Sequence, residues 1–323
     1  MTFWEGKNVL VTGANGFTGS NLCAALLEAG ANVRAFVKRG GNLSNILEIR
    51  NNIEVMRGDL TDYISILKSM EGIGIVFHSG AIVPVIEARD VPNNTAQVNA
   101  IGTLNVALAA LNKGVKKMVY TSTCHVYGNQ PPEKLPLTEN TRPNPADIYS
   151  ATKYAGEILI SPFVEQGLGI IITRSFNKYG PGQRGNYFIP TVITQVLKCQ
   201  TPKLGNPNPT RDYIYIGDAV RGYMLTAELG KQGEIYHFSS GKETRMGDLC
   251  DKILEACDAK NLEPIWETNI RTQDISRSYG DSSKARKEFG WEPKIDLDVG
   301  LRRTVDWWRA HPEILNMQFS KSL

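Results

Sequence analysis

The chain has 323 residues, 41% of them hydrophobic, and a formal net charge of +3 at pH 7. This composition is typical of a globular protein with a buried core, built as one large α/β domain or as two lobes. The small net charge argues against a nucleic-acid partner, and the lack of any run of ~18 apolar residues argues against a membrane span.

Six short runs rich in β-branched residues alternate with helical stretches in the first half of the chain. These predicted strands are 8–12, 31–37, 53–59, 74–79, 116–122 and 169–175. The clearest connecting helix has apolar residues three and four apart, which therefore share one face: Val98, Ile101, Leu104, Leu108 and Leu111. This alternation predicts an α/β fold with a parallel sheet covered by helices on both faces.

The first predicted strand runs into the segment TGANGFTGS, which carries Gly13, Gly16 and Gly19. Glycines at this spacing, between a strand and a helix, allow a tight turn and the close approach of a pyrophosphate to the helix N-terminus. Such glycines also occur for purely structural reasons, but their position after an N-terminal strand favours dinucleotide binding.

Two charged segments bear on the identity of the dinucleotide. NAD-specific sites usually place an acidic residue at the end of the second strand, whereas this strand ends with Lys38 and Arg39. These cations favour the 2′-phosphate of NADP over NAD, although solvated loop charges give the same pattern. Asp59, at the end of the third strand, is expected either to bind the adenine amino group or to cap a helix.

A helix after the fifth strand carries Tyr149 and Lys153, four residues apart and therefore on one face. A phenol beside an ammonium and a cationic nicotinamide is expected to have a lowered pKa, which suits it to exchange a hydroxyl proton near neutral pH. Tyrosine and lysine at this spacing also occur by chance on surface helices. Together with the glycine loop, however, the pair predicts a catalytic role.

The pattern becomes less regular after residue 175, with predicted helices near 217–229, 245–257 and 298–310. We therefore expect two lobes, with some segments shared between them. Residues 1–175 are expected to form the dinucleotide-binding domain, and residues 176–323 mainly a smaller substrate-binding lobe.

These motifs together resemble the extended branch of the short-chain dehydrogenase/reductase superfamily that modifies nucleotide sugars. The resemblance covers nearly the whole chain, through VTGANGFTGS, RGDLTD, VNAIGTLNV, YTSTCHVYG, YSATKYAGE, RSFNKYGPGQ, PTRDYIYIGDAVRGY and DSSKARKEFGWEPKIDLDVGLRRTVDWW. It implies a Rossmann-type doubly wound parallel sheet that binds NADP or NAD tightly. It also implies a C-terminal lobe that binds a nucleoside diphosphate sugar, and a homodimer.

The resemblance also assigns roles to individual residues. Thr123, Tyr149 and Lys153 would form the hydride-transfer triad, the last two also contacting the cofactor. The cofactor site would further include Asn15, Phe17, Leu60, Ser79, Ala81 and Asn99. The substrate would meet Thr123 and Asn177 at its sugar, and Arg211 and Arg271 at its nucleotide or diphosphate, with Arg277 as an alternative to Arg271.

Cys124 and His125 follow the expected catalytic threonine, where relatives that dehydrate hexoses typically carry aspartate and glutamate. In those relatives the acid assists departure of the C6 hydroxyl and the base removes the C5 proton. Imidazole can act as that base once a C4 ketone has acidified C5, with the thiol as a poorer acid. We therefore expect a nucleotide-sugar dehydratase that oxidises C4, eliminates water across C5 and C6, and returns the hydride.

Three other functions remain open at this point. The first is a nucleotide-sugar epimerase, acting at C4 or beside the keto group, in which Cys124 and His125 only pack or bind substrate. The second is a 4-keto-sugar reductase, which would consume NADPH. The third is a dinucleotide sensor, which would have no use for Tyr149 and Lys153.

The cysteines and the N-terminus bear on the location of the protein. Five irregularly spaced cysteines predict reduced thiols and no zinc site: Cys23, Cys124, Cys199, Cys250 and Cys257. The N-terminus lacks the basic start and apolar run of a signal peptide. We expect a cytoplasmic protein without a metal.

Overall fold

A seven-stranded parallel sheet forms the centre of the computed structural model, which describes residues 2–83, 85–267 and 275–315. The strands are β1 (Asn8–Thr12), β2 (Asn32–Lys38), β3 (Glu54–Gly58), β4 (Ile75–His78), β5 (Lys117–Thr123), β6 (Gly169–Ser175), β7 (Asn177–Tyr179), β8 (Lys203–Leu204), β9 (Thr210–Arg211), β10 (Tyr213–Tyr215), β11 (Ile235–Phe238), β12 (Thr244–Arg245), β13 (Ile265–Trp266) and β14 (Arg277–Ser278). The helices are α1 (Phe17–Glu28), α2 (Tyr63–Ser69), α3 (Val85–Asp90), α4 (Pro92–Ala96), α5 (Gly102–Asn112), α6 (Ile148–Ile160), α7 (Phe188–Leu197), α8 (Ile216–Leu229), α9 (Met246–Ala256), α10 (Ser283–Phe289), α11 (Leu297–Ala310) and α12 (Pro312–Leu315).

The large sheet has the strand order β11-β6-β5-β4-β1-β2-β3, and each of its pairings is parallel. The six strands predicted from the sequence occupy six of the seven positions, so the predicted Rossmann-type doubly wound fold is confirmed. The sequence pattern does not predict the seventh strand, β11. It is four residues long, comes from the second half of the chain and pairs with β6.

Alternate residues of the central strands face two different helix layers. On β1, Val9 and Val11 pack with residues of α1, α8 and α10, whereas Leu10 faces the layer of α2, α5 and α6. Strands β5 and β6 are buried along nearly their whole length. This burial explains the apolar residues in the middle of each strand, because parallel strands are covered on both faces, whereas the last three residues of each strand are buried polar ones.

Helix α5 lies where it was predicted, but its apolar stripe is only partly covered by the core. The fully buried residues of the helix include Val106, Ala107, Ala109 and Ala110. Within the predicted stripe, Val98, Leu104 and Leu111 are partly buried and pack against the core, whereas Ile101 and Leu108 are 40% and 37% exposed.

A second core lies among α7, α9 and α11 and forms the smaller lobe. Helices α8, α9 and α11 agree within two residues with the helices predicted in the second half of the chain. Helix α8 and strand β11 nevertheless pack with the large sheet. We propose the division between the lobes at residue 175, where β6 ends, with these two elements returning to the first lobe.

The sheet brings the carboxyl ends of several strands to one edge. Thr12 of β1 pairs with His78 of β4, and Thr123 of β5 pairs with Ser175 of β6. Ligands of open α/β sheets bind beyond the carboxyl ends of the strands. The glycine loop and the segment that contains Thr123 therefore meet at this edge.

Three further observations describe the chemistry and surface of the molecule. Each of the five cysteines has a free thiol. Within residues 2–83, 85–267 and 275–315, no helix is both long and apolar enough to cross a membrane. In the same residues, no group of three or more histidine, cysteine, aspartate or glutamate side chains is placed to hold a metal ion. The cytoplasmic location stays a prediction.

Candidate active site

Each of the three glycines of the first loop has a different structural role. Gly13 has a φ of +65°, and a Cβ there would lie 2.7 Å from the Cα of Gly80. Gly19 of α1 lies directly against the backbone of Gly13 and Ala14, so a side chain at this position would push the helix off the loop. Gly16 is the N-cap residue of α1, and its N–H donates to the carbonyl oxygen of Gly13 at 2.9 Å.

The N-terminus of α1 is open to an anion. Among the described residues no side chain caps it, and its first turn, which begins with the partly buried Phe17, has no acidic residue. The first N–H groups of this helix, together with its dipole, therefore favour a negatively charged ligand. Asn15 Nδ2 donates to the carbonyl oxygen of Asn42 at 2.7 Å and joins the loop to the segment after β2. This geometry fits the pyrophosphate of a dinucleotide.

The segment after β4 forms the opposite wall of the loop. The Gly80 N–H donates to Thr12 Oγ1 at 3.1 Å, and the same hydroxyl lies 2.7 Å from Nδ1 of His78. The buried Oγ of Ser79 has no hydrogen-bond partner in the part of the chain that the structure describes. Buried hydroxyls are normally hydrogen-bonded, so this one marks a polar group available to a ligand. The orphaned hydroxyl, with the partly buried Ala81 beside it, fits the expected NAD(P) site.

Asn99 braces this wall against the helix that carries the tyrosine and lysine. It lies in a π-helical turn, Gln97–Ile101, between α4 and α5. Its Oδ1 accepts from the Ile82 N–H at 2.7 Å, and its Nδ2 donates to Thr152 Oγ1 on α6 at 3.2 Å. Leu60 is buried in the core shared by α2 and α5. Direct contact of Asn99 and Leu60 with the cofactor stays a prediction.

The expected 2′-phosphate site lies at the end of β2, where Lys38 and Arg39 are exposed. Arg39 Nη2 is 2.9 Å from the carboxylate of Asp62, which also caps α2. The capping role considered for Asp59 is therefore wrong, because Asp62 occupies that position. The Oδ1 of Asp59 instead accepts from the N–H and hydroxyl of Thr61, at 2.9 and 2.7 Å.

The structure brings Thr123, Tyr149 and Lys153 together at the carboxyl end of β5. Helix α6 begins with a capping box between Asp147 and Ser150, which fixes Tyr149 in the first turn. The Thr123 hydroxyl lies close enough to the Tyr149 phenol to lower its pKa, against the larger effect of burial. Lys153 follows one turn later, on the same face of α6.

Burial controls the charge of this tyrosine and lysine. It raises the pKa of the Tyr149 phenol above its ordinary value, because a buried phenolate is poorly solvated. The expectation of a lowered Tyr149 pKa is thus wrong for the protein alone, since the sequence does not reveal how deeply the ring is buried. Burial also lowers the pKa of Lys153 to about 7, although the carboxylate of Glu157 opposes this change.

His125 lies beside the tyrosine. Its ring centroid is 6.2 Å from that of Tyr149, in an edge-to-face arrangement, and its backbone N–H donates to Thr123 Oγ1 at 3.2 Å. Asn177, the first residue of β7, is among the polar groups near the imidazole. Burial, with a smaller contribution from Arg211, lowers the pKa of His125 below its ordinary value. The ring is therefore neutral at pH 7 and has the form of a base.

Cys124 has a different environment from its neighbour. Its side chain is 3% exposed and packs with Val126, Leu137 and Phe176. The thiol is hydrogen-bonded to Ser278, and burial raises its pKa to about 12. Such a thiol is a weak acid, so this environment favours packing over the proton-donor role expected from the sequence.

The residues expected at the substrate lie on strands beyond β6. Asn177 donates through Nδ2 to the carbonyl oxygen of Asp212 at 3.2 Å. Arg211 Nη1 donates to the carbonyl oxygens of Thr210 and Ile275, at 2.8 and 2.6 Å. Arg271 lies outside the described residues. Arg277, its alternative, donates to both carboxylate oxygens of Glu243.

Three further residues belong to the site but were not singled out in the sequence. Lys178 follows Asn177 and lowers the pKa values of both Lys153 and His125, although burial has the larger effect on each. Tyr187 contributes, after burial, to the raised pKa of Tyr149. Asp212 is fully buried and accepts from the N–H groups of Ser240 and Gly241. The segments FNKYGPG and PTRDY contain Lys178 and Asp212, so adjacency to Asn177 and Arg211 was the available signal.

Comparison with known proteins identifies similar enzymes of two kinds. A family model described as GDP-mannose 4,6 dehydratase matches residues 10–304. A dTDP-glucose 4,6-dehydratase from Actinoplanes sp. is 29% identical over 320 residues, which cover 94% of this chain and 98% of that protein. A UDP-glucose 4-epimerase from Mycolicibacterium smegmatis is 31% identical over 314 residues, which cover 93% of this chain and 98% of that protein.

A solved structure has the same architecture. The crystal structure of a dTDP-glucose 4,6-dehydratase from Streptomyces venezuelae, with NAD bound, matches with a TM-score of 0.88 at 26% sequence identity. The match covers 95% of this chain and 98% of that chain. The dehydratase hypothesis agrees with these relatives, and epimerases match at a similar level of identity.

The contact between Gly13 and Gly80 provides a test of the dinucleotide site. We expect Gly13→Ala to bind the dinucleotide about tenfold more weakly or worse, because the new Cβ displaces the Gly80 backbone. The measurement is the amount of NAD(P) released when the purified protein is denatured. Gly6→Ala is the matched control, because Gly6 also has a positive φ, +71°, but has nothing within 4 Å of the added Cβ. Equal cofactor content in the two variants would contradict this assignment.

Proposed function

The chain belongs to the nucleotide-sugar dehydratase and epimerase family of extended short-chain dehydrogenases/reductases, and on that premise we propose that it is an NAD(P)-dependent nucleotide-sugar 4,6-dehydratase. The enzyme oxidises the sugar at C4, eliminates water across C5 and C6, and regenerates its cofactor in each cycle. One observation carries the choice of reaction: the neutral imidazole of His125 lies beside Tyr149.

His125 has the properties of the base that the elimination needs. Burial lowers the pKa of its ring, which keeps the imidazole neutral at physiological pH. A ketone at C4 makes the C5 proton acidic, so a neutral imidazole suffices to remove it. Loss of the C6 hydroxyl then forms the double bond between C5 and C6.

Tyr149, Thr123 and Lys153 serve the oxidation at C4. We assign Tyr149 the role of accepting the proton of the C4 hydroxyl, next to the hydroxyl of Thr123. The ammonium of Lys153, one turn away on α6, stabilises the phenolate. When bound, the nicotinamide accepts the hydride from C4 and later returns it to the sugar.

The substrate is a nucleoside diphosphate sugar. Arg211 presents a guanidinium near His125, and a guanidinium binds two phosphate oxygens at once. Arg271 stays a candidate for the same role. The relatives act on dTDP-glucose and UDP-glucose, so these two compounds are the probes that we choose.

A 4-epimerase is the second candidate function, and the environment of Cys124 favours it. A dehydratase needs an acid for the departing hydroxyl, whereas the thiol of Cys124 is buried and has a pKa near 12. An epimerase needs no such acid and would use His125 only to shape the pocket. A 4-keto-sugar reductase, in contrast, would consume its reduced cofactor stoichiometrically.

Variants of His125 and Tyr149 separate these functions. In His125→Ala, oxidation at C4 proceeds but elimination stops, so reduced cofactor should accumulate when dTDP-glucose or UDP-glucose is added. In Tyr149→Phe, oxidation itself should slow by about 10²-fold or more, and no reduced cofactor should appear. Absorbance of the reduced nicotinamide measures both results in one stopped-flow experiment.

A control variant, a variant of Cys124 and a contradicting outcome complete this test. Tyr154→Phe is the control for Tyr149→Phe, because Tyr154 lies one turn along α6 and should keep normal turnover. Cys124→Ala should stall like His125→Ala only if the thiol is the acid. Full turnover without cofactor accumulation in His125→Ala would contradict the dehydratase assignment and favour the epimerase.

We propose that NADP binds at least as well as NAD. Lys38 and Arg39 provide positive charge at the end of β2, in the position where an acidic residue would repel a 2′-phosphate. The ion pair of Arg39 with Asp62 competes with that phosphate and limits the preference.

Calorimetry on cofactor-free protein tests the proposal. The double variant Lys38→Ala/Arg39→Ala should lose about three- to tenfold in NADP affinity and little in NAD affinity. Asp62→Asn should strengthen NADP binding, because it releases Arg39. The control is Arg50→Ala, which removes an exposed cation from a different segment. A preference for NAD that is unchanged in the double variant would contradict the proposal.

We propose that the protein is a homodimer that pairs through α5 and α6. These helices pack side by side, and three exposed apolar residues lie on or next to them: Ile101 just before α5, Leu108 of α5 and Ile158 of α6. The three side chains are 40%, 37% and 55% exposed, and together they offer apolar area for a second molecule to bury. A second copy with the same stripe provides a self-complementary surface.

Light scattering after gel filtration measures the assembly. The wild type should have the mass of a dimer, and Leu108→Asp should have that of a monomer, because a buried carboxylate at the interface is unfavourable. Leu229→Asp is the control, since Leu229 is 50% exposed at the end of α8, away from this stripe. A monomeric wild type would overturn the proposal.

A further inference from the structure

A buried polar network crosses the sheet beneath the catalytic residues. The carboxylate of Glu157 on α6 accepts from Arg174 Nε at 3.1 Å, from Arg174 Nη2 at 2.5 Å and from the hydroxyl of Ser122. Arg174 Nη1 donates to the hydroxyl of Tyr127 at 2.8 Å, which lies 2.5 Å from Nε2 of His237. The two charged side chains are 3% and 4% exposed.

The network is fixed by backbone register as well as by side chains. Ser122 of β5 pairs with Arg174 of β6, and Arg174 pairs in turn with His237 of β11. Three adjacent strands therefore present their polar groups to the same carboxylate and its partners. Ser122 also precedes Thr123, so the position of Glu157 is tied to the end of the strand that carries the catalytic hydroxyl.

The buried ammonium of Lys153 requires a compensating negative charge in this region. It is 2% exposed, and its Nζ lies 4.1 Å from the centroid of the Tyr120 ring. Burial of an ammonium is unfavourable unless opposite charge or an aromatic face compensates it. The titratable and charged groups around Lys153 are Tyr149 and Glu157 of α6, Tyr120 of β5, His78 of β4 and Lys178 of β7.

Only one of these neighbouring groups carries negative charge at neutral pH. His78 is buried and its pKa is lowered, so it is neutral, and Lys178 is a cation. Glu157 lies four residues after Lys153, on the same helix face and one turn away. Its carboxylate raises the pKa of Lys153, against the larger effect of burial.

We propose that Glu157 is a positioning residue of the active site, which acts through Lys153: held by Arg174 and Ser122, its carboxylate keeps the ammonium charged beside Tyr149. Arg174 prevents the carboxylate from turning toward the lysine and fixes the distance between the carboxylate and the ammonium. The proposal uses the assignment of Tyr149 and Lys153 but is independent of the choice between dehydration and epimerisation.

Glu157→Gln tests the proposal without any substrate. The amide keeps the size of the side chain and removes its charge, so the pKa of Lys153 should fall by about one pH unit or more. A lysine whose folded-state pKa is depressed destabilises the native state most at pH values below that pKa, and the loss fades as pH rises toward the pKa of the unfolded chain. A further depression therefore adds a deficit that is complete only at low pH and is gone above the wild-type pKa of about 7.

The measurement is urea unfolding of cofactor-free protein at several pH values from about 5.5 to about 8. We expect the deficit in urea midpoint of Glu157→Gln to shrink as pH rises through about 7. The matched control is Ser122→Ala, which removes a hydrogen bond to the same carboxylate but leaves its charge, so its deficit should not depend on pH. A constant deficit for Glu157→Gln would overturn the proposal and leave the residue a purely structural role.

Two additions keep the test decisive. If Glu157→Gln does not fold, Glu157→Asp takes its place in the experiment. This variant retracts the carboxylate by one methylene, so its deficit in urea midpoint should show the same pH trend with a smaller magnitude. In a Lys153→Met background, the pH dependence caused by either substitution at 157 should vanish. Its persistence there would assign the effect to another group and contradict the proposal.

Discussion

Burial of the Lys153 ammonium is the constraint on which the rest of the site depends. A cation at 2% exposure needs compensation, and the fold supplies the ring of Tyr120 and the carboxylate of Glu157. That carboxylate in turn needs Arg174, which β6 brings opposite Ser122 of β5. Compensation of this one buried charge thus links α6 to two strands. The groups expected to be catalytic on α6 and β5 therefore lie on rigid elements rather than on loops.

Asp212 holds several segments of the second half of the chain together next to His125. Its buried carboxylate accepts from the N–H groups of Ser240, Gly241 and Gly280, and burial raises its pKa to about 6. Its backbone carbonyl oxygen accepts from the amide of Asn177. These hydrogen bonds fix the strand that carries Asn177 relative to the segments around residues 240 and 280.

Local sequence patterns predicted the elements and residues that depend on near neighbours. The six strands follow from runs of β-branched residues, and the proximity of Tyr149 and Lys153 follows from their spacing on a helix. Features that depend on tertiary context were missed. Strand β11 is short and pairs far along the chain, and two members of the apolar stripe predicted for the helix, Ile101 and Leu108, are exposed.

The electrostatics of the site also depend on tertiary context that local sequence patterns do not predict. The raised pKa of Tyr149 and the buried thiol of Cys124 result from depth in the fold, which no local pattern reports. Pairing of Arg39 with Asp62 joins residues 23 positions apart, which no local pattern reports. Cys124 and His125 are the two positions on which the expected choice between dehydration and epimerisation depends, and dehydratases and epimerases match the chain at similar identity.

The central claim is that this site eliminates water across C5 and C6 of a nucleotide sugar. The most direct measurement incubates the wild-type enzyme with dTDP-glucose, and separately with UDP-glucose, in deuterated water, followed by mass spectrometry and NMR of the product. The account predicts a product that has lost one water and carries deuterium at C5, because His125 exchanges that proton with solvent. A product of unchanged composition, inverted at C4 and without deuterium at C5, would contradict it.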